Sequence, residues 1–130
     1  MDPADRIVLD SSAVIAFLQG ETGADVVGRR LTGAGISAVN AAECVDVIAR
    51  RGAPMVRAIR AVADLDLVVI PCDWEIAVAA AAIHGETRPW GLSLGDSICL
   101  ATVRSWGTRA LTTDRAWLKV KVGVDIEVVR

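Results

Sequence analysis

Apolar positions along the chain fall into short blocks whose spacing switches between two periods. Runs of three or four mostly apolar residues read as strands: Arg6 to Leu9, Gly35 to Ser37, Leu67 to Ile70, Arg109 to Thr112 and Ile126 to Val129. Between them the period lengthens to that of a helix. Ser12 to Leu18 and Asp25 to Leu31 read as helices, and Ala41 to Arg51 gathers Ala41, Cys44, Val45, Ile48 and Ala49 on one face before Gly52 ends it. Pro54 opens a further helix running to about Asp64. Pro71 stops the third strand, and Asp73 is placed to cap a helix over Trp74 to His84. A loop is expected from Gly85 to Gly91, then a helix from about Gly95 to Trp106 and a helical turn at Ala116 to Lys119.

Strands alternating with helices predict the α/β class: a mainly parallel sheet covered on both faces. The 130 residues fit one domain, 1-130, with no linker, repeat or low-complexity tract. In sheets of this kind ligands bind beyond the carboxyl ends of the strands. Asp10 and Asp114 each fall at or just past such an end, so local reading alone sets two carboxylates on one rim.

Composition narrows the function classes. At 53% hydrophobic and 23% charged the chain is a folding one, and its scarce aromatics leave Ala and Val to fill the core. No apolar run approaches the ~18 residues of a membrane span. The opening Met1-Asp-Pro-Ala-Asp5 lacks the basic and apolar regions of a signal peptide, so a cytoplasmic protein is expected. Cys44, Cys72 and Cys99 agree: an odd number without a C-x-x-C spacing is neither a disulfide framework nor a zinc site. Their apolar neighbours suit buried small hydrophobes. The net charge of −2 argues at first against a nucleic-acid partner. Four of the 16 acids, however, are the candidate ligands below; without them 12 acids face 14 bases.

Three acids stand alone in long uncharged windows: Asp10 between Ile7 and Gly20, Glu43 between Leu31 and Val45, and Asp96 between Pro89 and Val103. An isolated carboxylate in apolar surroundings is costly to ionise and needs a partner or a metal. Asp114 differs in being followed directly by Arg115. Each acid also has a purely structural reading. Asn40-Ala-Ala-Glu43 and Ser93-Leu-Gly-Asp96 both have the spacing of capping boxes, and Asp10 and Asp114 could cap the helices after their strands. Capping and catalysis can coincide, because a helix N-terminus holds a carboxylate in place. Four acids at element boundaries, in a fold that gathers boundaries at one rim, point to a single anionic pocket. Hard divalent cations relieve the repulsion in such a pocket, and Mg²⁺ or Mn²⁺ suits oxygen ligands where zinc's His and Cys are missing.

Four segments then carry a family resemblance: Val8-Leu-Asp-Ser-Ser-Ala-Val-Ile-Ala-Phe17, Asn40-Ala-Ala-Glu43, Leu92-Ser-Leu-Gly-Asp-Ser-Ile-Cys-Leu-Ala101 and Leu111-Thr-Thr-Asp-Arg-Ala-Trp117. In this order and spacing the chain resembles the PIN-domain nucleases, most closely the VapC-type toxins of bacterial toxin–antitoxin pairs. The resemblance implies a PIN-like three-layer α/β/α sandwich, Mg²⁺ or Mn²⁺ as cofactor, and hydrolysis of RNA phosphodiester bonds. It makes Asp10 and Asp96 the leading metal ligands. Glu43 and Asp114 match the family's other two acids, as ligands of a second ion or holders of the attacking water, and Thr112 matches a hydroxyl that braces the pocket. It further implies a homodimer and an antitoxin whose C-terminal segment crosses the acidic groove. One departure is Gly95, where family members often carry a larger residue; a looser helix start is expected there.

Other residues weigh less. His84, the sole histidine, ends an Ala-rich helix, where it suits the dipole. Arg88, Pro89 and Trp90 precede Asp96; Trp90 could stack on a base with Arg88 on a phosphate, or serve packing. Arg115 could touch the scissile phosphate or pair with Asp114. Trp74, Trp106 and Trp117 read as core or interface, and Arg29-Arg30 and Arg50-Arg51 as solvated helix faces. Rival readings are a PIN-type nuclease of RNA processing or DNA repair and a non-catalytic PIN-like binding module. A phosphotransfer domain is disfavoured, since Ser12 stands where a haloacid-dehalogenase-type enzyme has its second acid, and Lys119 and Lys121 come too late for a receiver.

Overall fold

In the computed structural model, which describes residues 6–107 and 109–130, the strands are β1 (Ile7–Leu9), β2 (Gly35–Ser37), β3 (Val68–Ile70), β4 (Arg109–Thr112) and β5 (Asp125–Val128). The helices are α1 (Ser11–Gln19), α2 (Ala24–Gly28), α3 (Ala38–Arg50), α4 (Met55–Ala63), α5 (Trp74–Thr87) and α6 (Leu94–Trp106), with 3₁₀ turns at Arg88–Trp90 and Arg115–Lys119. The opening Met1 to Asp5, read above for a leader, lies outside the described residues.

All five strands are parallel, in the order β3-β2-β1-β4-β5. β1 is central, which explains its unbroken Ile-Val-Leu: a strand covered on both faces has no polar side. Its side chains alternate between two cores. Ile7 and Leu9 join Val14, Val27, Ile36, Cys44 and Leu111 on the side of α1, α2 and α3, whereas Val8 joins Leu100, Val103, Ala110 and Trp117 on the side of α5 and α6. The result is an α/β/α sandwich.

Three boundaries differ from the sequence reading. Helix α3 begins at Ala38, directly after β2, with the Ser37 hydroxyl accepting from Val39 N. Asn40 is therefore inside the helix, and Asn40-Ala-Ala-Glu43 is not a capping box. Helix α5 does not stop at His84. It runs through Gly85 to Thr87, whose buried hydroxyl lies 3.0 Å from that of Ser97 on α6, and the 3₁₀ turn continues to Trp90. The chain breaks only at Gly91, in the left-handed region at φ 83° that glycine adopts freely. The expected loop from Gly85 to Gly91 is thus mostly helical. Helix α2 is shorter than its apolar pattern suggested, ending at Gly28.

Of the tryptophans, Trp117 is wholly buried and Trp106 packs beside the core with the Arg6 guanidinium 5.1 Å from its ring centre. Trp74 is 80% exposed and is not core. Cys44 and Cys99 are buried thiols, and Cys72 is half-buried. No described helix is long and apolar enough to cross a membrane.

Candidate active site

Parallel strands place all their carboxyl ends on one rim, and each helix that follows a strand starts there. Helix α6 leads back into β4, so its N-terminus lies on the same rim. The topology switches direction at β1: β2 lies on one side and β4 on the other. That is where an open parallel sheet leaves a crevice. Asp10 follows β1, Asp114 follows β4 by two residues, Glu43 sits in the second turn of α3, and Asp96 lies in the first turn of α6. Helices α3 and α6 pack together, which brings their starts to one place.

Asp10 is the deepest acid, 4% exposed. It caps α1, with Oδ1 accepting from Ser12 N at 2.6 Å. Oδ2 accepts from the Ser12 hydroxyl at 2.8 Å and from the buried Thr112 hydroxyl. Those hydroxyls are fixed in turn: Thr113 N donates to Ser12 Oγ at 3.0 Å and Asp114 N to Thr112 Oγ1 at 3.1 Å. Burial nevertheless pushes the Asp10 carboxyl up to about 6; the hydrogen bonds from Thr112 and Ser12 oppose the rise, and the charge of Asp96 adds to it.

Glu43 is half-buried. Its Oε1 accepts from Ser11 Oγ at 2.6 Å and from Asn40 Nδ2 at 2.8 Å. The same Asn40 amide donates to the carbonyl of Gly95 at 3.1 Å, tying α3 to the first turn of α6. A Cβ on Gly95 would overlap Glu43 Oε2 and lie 3.1 Å from its Cδ. The small residue expected to loosen the helix start instead admits the Glu43 carboxylate beside it.

Asp96 closes a capping box: Ser93 Oγ accepts from Asp96 N at 3.1 Å, and Asp96 Oδ2 accepts from Ser93 N at 2.8 Å. Its carboxyl is also raised, by burial first and then, against the Ser93 hydrogen bonds, by Glu43 and Asp114. Asp114 is exposed and caps the second 3₁₀ turn, its Oδ1 accepting from Ala116 N at 2.9 Å. Two thiols register the same field. Cys44 is pushed up to about 12 by burial and then by Asp10 and Glu43, and Cys99 rises through burial and then Asp10, Asp96 and Glu43.

The structure therefore links the four carboxylates through Asp96, which feels Glu43 and Asp114 and whose charge reaches Asp10. Among the described residues none of them pairs with Lys, Arg or His. Glu43 Oε2, Asp96 Oδ1 and Asp114 Oδ2 accept no hydrogen bond there either. The donor set is all oxygen and uncompensated, which fits a hard divalent cation. As the side chains stand, no three acidic, His or Cys groups among the described residues converge closely enough to hold one ion. The fit is one of donor chemistry, with Asp10, Glu43, Asp96 and Asp114 as the residues that would hold the ion.

The remaining sequence candidates separate. Arg115 is exposed and makes no ion pair with Asp114, and Arg88 is exposed in the turn before α6. Arg29, Arg30, Arg50 and Arg51 pair with Asp25, Glu127, Asp46 and Glu21. Ser11, Ser12, Asn40 and Gly95 were missed as site residues. Asn40 was read as a cap and Gly95 as a departure from the family pattern, and the sequence signal for Ser11 and Ser12 was nearness to Asp10.

A family model described as PIN domain matches residues 7–123. The chain belongs to the PIN-domain family. Solved structures share the fold at low sequence identity. DNA-bound VapBC from Salmonella typhimurium aligns with TM-score 0.75 and 19% identity, covering 96% of this chain and 98% of that one. VapBC-1 from nontypeable Haemophilus influenzae aligns with TM-score 0.71 and 15% identity, covering 95% and 97%. VapC20 of Mycobacterium tuberculosis, described as a toxin cleaving the sarcin–ricin loop, aligns with TM-score 0.70 and 18% identity, covering 92% and 98%. No curated protein matches the chain by sequence.

Proposed function

We propose that this PIN domain is a divalent-metal-dependent endoribonuclease and the toxin of a toxin–antitoxin pair. The observation that carries the reading is the set of four uncompensated carboxylates at the switch point of the sheet, three of them with an oxygen left free. Structural purpose alone does not account for the burial of Asp10, whose ionised form is opposed by its surroundings.

Asp10 and Asp96 are the leading ligands for Mg²⁺ or Mn²⁺, with Glu43 and Asp114 completing the set or serving a second ion. Such an ion supplies Lewis acidity, making a nearby water more acidic and offsetting charge on the phosphate oxygens. The chain's own groups do the rest. Ser12 and Thr112 fix the plane of the Asp10 carboxylate. Asn40 and Ser11 hold Glu43 by Oε1, which leaves Oε2 to orient a water or take its proton as it attacks phosphorus in line; the bond from phosphorus to the 3′-oxygen breaks, and that oxygen takes up a proton and leaves as a 3′-hydroxyl. Asp114 offers Oδ2 for the same duty from the opposite side of the switch point.

The toxin assignment draws on the solved neighbours, several of which are toxin–antitoxin complexes. The partner is then an antitoxin whose basic side chain meets the four acids, and the working form is a cytoplasmic homodimer. The test is cleavage of total cellular RNA by purified, antitoxin-free protein with Mg²⁺ or Mn²⁺ and with EDTA, beside Asp10→Asn and Asp96→Asn. Discrete fragments that need metal and vanish in both variants support the reading. A folded protein that binds no Mn²⁺ through these acids is the result that sinks it.

A further inference from the structure

We propose that the turn Arg88–Trp90 and its neighbour Arg115–Lys119 form a landing platform for single-stranded RNA, on which a base stacks on Trp90 while phosphates meet Arg88, Arg115 and Lys119. The inference rests on the nuclease reading and adds to it the side chains that seat the substrate. The two turns lie side by side. They also bracket the acids: Asp114 caps the second turn, and α6, which carries Asp96, follows the first after Gly91 and Leu92. A strand lying across both turns therefore passes the carboxylates.

The side chains suit a nucleic acid. Trp90 is 51% exposed, at the end of a turn that Pro89 stiffens and Gly91 terminates, and Leu94, four residues on, is 49% exposed. An aromatic face shown to solvent on a rigid turn is a stacking surface with little left to order on binding. Arg88, Arg115 and Lys119 are exposed, and none makes an ion pair among the described residues. The arginines of the alternative basic track, Arg29-Arg30 and Arg50-Arg51, are all paired with acids. The unpaired cations beside the site are those that flank the exposed ring. They also supply the attraction that the acidic pocket itself lacks.

Stacking selects single strands. Bases in an A-form duplex are stacked on each other, and its deep, narrow major groove admits no indole, so only unpaired bases in a loop, bulge or end can meet Trp90.

The experiment is fluorescence anisotropy with a labelled mixed-sequence RNA, single-stranded or annealed to its complement, titrated with Asp96→Asn protein in Mg²⁺ so that binding is read without cleavage. Trp90→Ala is expected to weaken single-strand binding about 5- to 100-fold, with Trp90→Phe retaining most of it. Arg88→Ala and Arg115→Ala should each flatten the salt dependence by about 0.7 in log–log slope. Trp74→Ala, which removes a still more exposed indole at the far edge of the sheet, should change nothing. Unchanged binding in Trp90→Ala, an equal loss for the duplex, or a loss confined to an antitoxin peptide overturns the platform. If the unsubstituted chain cleaves RNA in that case, the nuclease reading stands alone. Trp90-dependent binding by a chain that cleaves nothing would keep the platform and remove the nuclease.

Discussion

Asp10→Asn should make the metal-free protein more stable at neutral and alkaline pH. The Asp10 carboxyl rises from its ordinary 3.8 to about 6, chiefly through burial, which corresponds to about 3 kcal/mol against the ionised form. Because the folded state holds this proton more tightly than the unfolded chain, the Asp10 contribution to stability is greatest below about pH 4. It falls as pH rises towards 6 and stays lower above that. An amide removes the ionisation but disturbs the hydrogen bonds. Oδ1 still accepts from Ser12 N, whereas an NH₂ in place of Oδ2 faces two hydroxyls that now donate to it. The Ser12 and Thr112 oxygens are 3.2 Å apart, so one can donate to the other and a single hydroxyl proton is stranded. That costs about 1–2 kcal/mol. The net gain is therefore about 1–2 kcal/mol at about pH 8 in EDTA, or roughly 4–8 °C in Tm.

The assay is urea and thermal denaturation of both proteins across about pH 4 to 8, first in EDTA and then with Mn²⁺. Near the acid end, where only the stranded hydroxyl counts, the variant should be about 1–2 kcal/mol less stable than its parent, and the difference should change sign as pH rises towards 8. Saturating Mn²⁺ should reverse its sign, since an ion held by Asp10 stabilises the parent by about 3 kcal/mol at a hundred times its Kd. A difference independent of pH, or a variant less stable than its parent at about pH 8 in EDTA, would refute the reasoning.

Gly95→Ala should gain up to about 0.5–1 kcal/mol of helix propensity while weakening Mn²⁺ binding about tenfold in calorimetry, because the new methyl evicts Glu43 Oε2. Unaltered Mn²⁺ affinity would mean that Glu43 has no part in binding. Asn40→Ala should lower stability by about 1–3 kcal/mol, since it unties Glu43 from the Gly95 carbonyl; chemical denaturation reads this. Ser93→Ala should cost about 1 kcal/mol through the lost cap of α6, read the same way. Cys44 and Cys99 should resist iodoacetamide in the native protein at neutral pH, because both are buried and held as thiols; mass spectrometry showing rapid labelling of either would contradict the packing.

The order of elements and the sheet's parallel character were legible in the sequence because each signal was local and strong. Ile7-Val-Leu9 and Leu111-Thr112 could only be strands buried on both faces, and Asp73 and Ser93 were readable caps. The misreadings came from cues that tertiary contacts overrode. Gly85 looked like a helix stop, yet it takes no left-handed conformation; the Thr87 hydroxyl against Ser97 carries α5 further, and Gly91 is the stop. Asn40 looked like a cap because nothing local reveals that β2 runs straight into α3 at Ser37. Once Asn40 is inside the helix, its amide bridges Glu43 to a carbonyl 55 residues away, and no periodicity announces that contact. Three of the four acids were visible as isolated charges, but the roles of Ser11 and Ser12, which hold Glu43 and Asp10 in place, were not.

The sequence allowed an acid to be cap and ligand at once, and the geometry leaves room for both. Asp10, Asp96 and Asp114 do cap, each by accepting from backbone amides of its own turn, and that is what fixes them on the rim. A cap occupies one carboxylate oxygen. In Asp96 and Asp114 the other stays free, and in Asp10 it is held by hydroxyls rather than neutralised by a cation. Capping is not sufficient, however, and Asp73 provides the internal control. It caps α5 on the same rim, with Oδ1 accepting from Ile76 N at 2.9 Å, but it follows β3 at the edge of the sheet. It is exposed and adds nothing to the field around Asp10 or Asp96. What separates a structural cap from a member of the anionic pocket is therefore strand order. Only the helices that start around β2, β1 and β4 bring one acid into the field of another.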